Sequence, residues 1–132
     1  MSEQVSKDEL LGMVELPCEA VELRPGKFVW VQGMSGTERD AFESSLYRGK
    51  GTDRRLDTRN VRARLAVRCI VDKPGGTRVY RDSDVDALGK IRVDVLSKIY
   101  NAAQRLSGVT DEDIEELERF SAPEAGPASS SS

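Results

Sequence analysis

Residues able to do chemistry are unevenly supplied in this chain. It contains no histidine and two cysteines, Cys18 and Cys69. Without histidine the commonest general base is missing, and so are Ser–His and Cys–His nucleophile pairs. Two cysteines without an imidazole fall short of the four ligands that a structural zinc ion takes within one chain. Neither cysteine sits in a CxxC pair, so each reads as a small buried hydrophobe. Carboxylates are plentiful, but Asp111, Asp113, Glu115 and Glu116 fall on a segment with few apolar anchors and no evident cleft. Asp82, Asp84 and Asp86 have the alternate spacing of a calcium loop. They lack its glycine and its distal bidentate Glu, so helix capping explains them better. Gly75-Gly76 and Gly49-Lys50-Gly51 are isolated turns rather than a phosphate-binding loop. The expectation is therefore a protein with no catalytic, cofactor-binding or metal-binding residue, one that acts by binding another macromolecule.

Charge is segregated along the chain. Residues 1–23 carry Glu3, Asp8, Glu9, Glu15, Glu19 and Glu22 against Lys7. The stretch 39–68 reverses this with Arg48, Lys50, Arg54, Arg55, Arg59, Arg62, Arg64 and Arg68, and 109–120 is acidic again. Such alternation suits packing of opposite patches or docking on a charged partner. Counterion release would draw the arginines to phosphate. However, no aromatic residues interleave with them, and the net charge is −3. Nucleic acid is not the expected partner, and a solvated or salt-bridged helix face is the simpler reading.

The elements that must position these groups can be read from pattern. The chain has 132 residues, 38% of them hydrophobic, with three Phe, three Tyr and one Trp. That supports one domain over 10–120 with a small aliphatic core, flanked by a disordered 1–9 and a disordered Ser-rich 121–132. No window is long and apolar enough to cross a membrane, and no signal peptide is evident, which points to the cytoplasm. Strand-like residues from Met13 to Leu23, the turn Arg24-Pro25-Gly26-Lys27 and Phe28 to Val31 predict a β-hairpin. Ser35 and Glu38 form a capping box that opens a helix with Ala41, Phe42, Ser45 and Leu46 on its inner side. Lys50 to Arg55 reads as a basic loop. Asp57 or Thr58 is placed to cap a helix reaching Cys69, apolar on two faces and hence central. A second small hairpin is expected near 68–80. Asp82 or Ser83 then caps a short helix ending near Gly89. Ile91, Val95, Ile99, Ala102 and Leu106 mark a helix over 91–106, ended by Gly108. Thr110 opens a last, thinly anchored helix carrying Ile114, Leu117 and Phe120. The fold class is α+β, mainly helical, with a hairpin packed on about four short helices.

The run Val31-Gln32-Gly33-Met34-Ser35-Gly36-Thr37-Glu38-Arg39-Asp40-Ala41-Phe42-Glu43 resembles phage tail assembly chaperones of long-tailed phages. In order, Arg48 to Gly51, Asn60 to Leu65, the Asp72 to Gly75 turn, Ser83 to Asp86, Ala87 to Gly89 and Ala103 to Gly108 extend the resemblance over about residues 14–120. Proteins of that family bind the long helical tape measure protein, keep it soluble and help recruit major tail tube subunits. The resemblance implies work in the cytoplasm of an infected bacterium, absence from the mature virion, and compatibility with self-association. A programmed frameshift often makes a longer form in such families. The candidate partner-binding residues are Arg55, Arg59 and Arg62 in the basic segment, and Ile114, Leu117 and Phe120 on the last helix. The alternative is a phage-encoded regulator or inhibitor that uses the Arg-rich 48–68 segment on nucleic acid or a host protein; a third option is a structural virion component.

Overall fold

A computed structural model describes residues 2–121. The stretch 122–132 and the side chains of Leu117 and Phe120 lie outside the described residues, so the readings made of them stay as expectations. The first element is a helix the sequence reading omits, α1 (Lys7–Leu11). It begins with a capping box in which the Ser6 amide donates to Glu9 Oε1 and the Glu9 amide donates to Ser6 Oγ, both at 3.1 Å. None of its residues is buried, so local bonds alone hold it, and the apolar pattern gives no sign of it.

β1 (Cys18–Arg24) and β2 (Lys27–Gln32) form the expected hairpin around a turn with Gly26 at φ 77°. The strand starts at Cys18 rather than near Met13, and Met13 and Val14 are exposed. β2 ends at Gln32, opposite Cys18. The Gly33 amide adds one bond to the Pro17 carbonyl at 2.8 Å, and Pro17 has no N–H with which to continue the ladder. Val21 and Val31 face the core. Phe28 and Trp30 stand on the opposite face, edge to face with centroids 5.3 Å apart.

α2 (Gly36–Ser45) opens with the expected capping box: Glu38 N to Ser35 Oγ is 3.2 Å and Ser35 N to Glu38 Oε1 is 2.8 Å. Phe42 and Leu46 are fully buried, whereas Ala41 and Ser45 face solvent, so the inner stripe is narrower than expected. β3 (Tyr47–Arg48) and β4 (Arg55–Leu56) pair across a 3-10 turn at Gly51–Asp53. The expected basic loop is thus the bend of a short ribbon.

α3 (Val61–Cys69) starts at Asn60, whose φ is 55° and whose side chain makes no capping bond. Neither Asp57 nor Thr58 is its cap. The helix is central, as expected from its two apolar faces. Leu65, Ala66 and Cys69 join Phe42 and Tyr100 in the main core, while Ala63 and Val67 pack with Leu88 in a smaller one. α3 leads into β5 (Ile70–Val71), which pairs antiparallel with β2 to give a sheet of order β1-β2-β5. The second hairpin is a short one: a bridge between Val71 and Arg78, with 3.1 Å bonds from the Asp72 amide to the Thr77 carbonyl and from the Val79 amide to the Ile70 carbonyl.

A 3-10 turn at Asp82–Asp84 precedes α4 (Val85–Gly89). Its start is closed by Asp84, which accepts from the Arg81 amide at 2.7 Å, rather than by Asp82 or Ser83. α5 (Val93–Ser107) buries Leu96, Ile99, Tyr100, Ala102 and Ala103 and ends at Gly108 with φ 69°. Ile91 falls before it and is exposed, as is Val93. α6 (Asp111–Ser121) begins with reciprocal bonds between Thr110 and Asp113 of 2.8 and 3.1 Å. α5 packs on the hairpin on one side and on α3 on the other. The architecture is α+β: a small antiparallel sheet against helices.

Candidate functional site

Folding separates the arginines that look like one patch in the sequence. Arg48 of β3, Arg59 ahead of α3, and Arg64 and Arg68, one turn apart on α3, line a cleft of about 550 Å³. Asp82 and Asp86 also line it, from the 3-10 turn and α4, together with Val67 and Val85. The spacing of Arg64 and Arg68 puts both on one helix side. The ribbon brings Arg48 to them.

Asp57 organises this end of the cleft. Its Oδ2 meets Arg48 Nε, Arg59 at 2.9 Å and Arg64 at 3.4 Å. Its Oδ1 accepts from the Arg59 amide and Arg59 Nε, both at 3.0 Å, and its carbonyl accepts from Arg64 at 2.8 Å. The Arg59 side-chain hydrogen bonds, with the Arg59 amide and the charges of Arg59 and Arg64, hold the Asp57 carboxyl well below the usual carboxylate range. Asp57 is thus an arginine clasp rather than the helix cap expected of it. Farther along, Asp82 accepts from Arg68 at 3.4 Å and Arg78 at 2.8 Å, while Asn60 Nδ2 lies 3.4 Å from Asp86. The Arg64 and Arg68 side chains are 12% and 16% exposed, and Arg48 and Arg59 are 62% and 76% exposed. Two arginines are anchored and two stand at the rim.

The sequence-predicted binding residues whose side chains are described fall in four places. Arg59 lines the cleft. Arg55 is exposed on β4, which borders α6. Arg62 points to the other side of α3, its guanidinium 5.6 Å from the Tyr100 ring centre. Burial, followed by the nearby Asp111 charge, pushes the Tyr100 phenol up. Ile114 packs partly buried against the main core, and α6 is further tied by Arg39 to Asp113 at 3.2 Å and Gln104 to Asp111 at 2.9 Å. Leu117 and Phe120 lie outside the described side chains. Sequence reasoning missed Asp57 and Asp82 as partners of the arginines and Asp86 as a lining residue beside them; only the Arg64–Arg68 spacing pointed towards a shared face.

Cys69 is buried 3.7 Å from Ser107 Oγ, and burial pushes its thiol up to about 11. Among the described residues no three His, Cys, Asp or Glu side chains come together as metal ligands would, and no helix is long and apolar enough to cross a membrane. No protein-family model, curated protein or solved structure matches the chain.

Proposed function

We propose that this protein is a non-catalytic tail assembly chaperone that binds the tape measure protein, keeps it soluble and helps bring tail tube subunits to it. The observation that carries this reading is the ordered set of motifs over residues 14–120. Two of those motifs meet in space. The Met34 amide, in the Gly33-Met34-Ser35 run, donates to Ser107 Oγ, in the Leu106-Ser107-Gly108 run, at 3.2 Å across 73 residues of sequence. These positions are joints of a single fold, as residues shared across a family would be.

Surface character supports the same reading. An elongated helix with apolar stripes needs apolar contact area rimmed by charge. The Phe28–Trp30 pair offers such area on the outer sheet face, beside Glu22, which is paired with Phe28 in the hairpin register. Among the described residues Ile114, the Arg39–Asp113 pair and the Gln104–Asp111 bond tie α6 to the body, and in this reading it is the element that moves aside or extends a groove. Under this reading the protein works in the cytoplasm of the infected bacterium and is absent from the mature virion. Co-expression with the tape measure protein tests it. The full chain is expected to raise tape measure solubility, and a chain lacking 109–132 to lose that effect. Unchanged tape measure solubility with the full chain would overturn the function, and detection of the protein in purified particles would make it a virion component instead.

A further inference from the structure

We propose that the arginine-lined cleft binds an acidic peptide segment, whose carboxylates are taken by Arg48 and Arg59 at its rim. This inference stands apart from the chaperone reading, and its failure would leave that reading in place.

The balance of donors and acceptors carries the proposal. A carboxylate offers about four lone-pair sites, and a guanidinium offers five N–H donors. The Asp57 carboxylate already takes the Arg59 amide, two Arg59 side-chain nitrogens, Arg48 and Arg64. It is saturated, so it cannot serve the further N–H groups of Arg48. Arg68 and Arg78 likewise share Asp82. Positive charge is therefore in surplus around Asp57 and Asp82, and the guanidinium N–H groups of Arg48 and Arg59 that Asp57 does not take are left for a second planar anion. Arg64, mostly buried and bonded to the Asp57 backbone, keeps the clasp in place, while the Arg48 and Arg59 side chains stay exposed beside it.

The lining also selects the class of anion. Asp82 and Asp86 stand in the same cleft, where a continuous phosphate backbone would have to pass them. Among the described residues no aromatic side chain lines the cleft to stack a base. Carboxylates on a peptide are spaced by whole residues and can reach the arginine rim without lying over the aspartates. The volume, about 550 Å³, holds a few side chains.

Fluorescence anisotropy of a labelled hexaglutamate peptide against the full chain tests this. Wild type is expected to bind at low salt, and an R48Q/R59Q double variant to bind about tenfold more weakly. Asp86→Asn, which removes a repelling charge without touching the clasp, is expected to strengthen binding, a gain that no folding defect could produce. Absence of hexaglutamate binding would overturn the proposal, as would binding unaffected by all of these changes. A single-stranded oligonucleotide bound more tightly than the peptide would assign the cleft to nucleic acid. Citrate competing as well as the peptide would assign it to small carboxylates.

Discussion

Gly33 and Leu106 meet so closely that a Cβ built on Gly33 would lie 2.4 Å from the Leu106 carbonyl oxygen and 2.9 Å from its carbon. The end of β2 is thereby pressed against the last turn of α5. The Met34 amide bonds to Ser107 Oγ beside it, and Ser107 in turn contacts Cys69 of α3. Sheet, α5 and α3 are joined at this one point. Gly33→Ala must push backbone against backbone and is expected to destabilise the fold by roughly 1–3 kcal/mol in urea titration. Gly36→Ala, with open space around it, should leave the midpoint nearly unchanged. Equal effects of the two changes would refute this account of the junction.

The two capping boxes should differ in global importance. Both have the same reciprocal geometry, but α2 buries Phe42 and α1 buries nothing. Ser35→Ala is expected to cost about 1 kcal/mol of stability, the usual worth of such a cap. Ser6→Ala should leave the unfolding transition where it is, because α1 can fray without opening the core. Thermal unfolding by circular dichroism measures both.

Asp57 makes stability depend on pH. Its folded carboxyl titrates below the ordinary value of about 4 because Arg59 bonds its charged form. The stabilisation is therefore complete above that ordinary value and is lost as pH falls towards the folded one. Asp57→Asn is expected to lower stability at neutral pH and to flatten the acid limb of the stability profile. An acid limb of unchanged slope in the variant would show that the clasp contributes nothing.

The cysteines should report on burial. Cys18 is partly exposed, while Cys69 is buried with its thiol raised to about 11. At mildly alkaline pH a thiol reagent is expected to modify Cys18 in the native protein, and Cys69 only after denaturant is added. Rapid modification of both thiols in the native state would contradict the packing at Ser107.

Much of the fold was legible in the sequence because it depends on neighbours within a few residues. Ser35 and Glu38 start α2, Pro25-Gly26 turns the hairpin, and Gly108 ends α5 through interactions spanning three or four positions. The apolar stripe of α5 and the two-faced pattern of α3 likewise announced which sides would be buried. The candidate site was not legible in the same way. An aspartate ahead of a helix can cap it or pair with an arginine at similar local cost; Asp57 pairs with Arg59 two residues on, and the ribbon that carries Arg48 back towards it adds a partner that the local sequence does not show. The same long-range placement sent Arg62 to Tyr100, Arg64 to Asp57 and Arg68 to Asp82. Sequence alone determined that the chain has many arginines and no histidine, where α2 begins and where α5 ends. Tertiary structure decided which further arginines join the local Arg59–Asp57 and Arg78–Asp82 pairs, because Arg48 and Arg68 reach those aspartates only when segments farther apart in the chain are packed together.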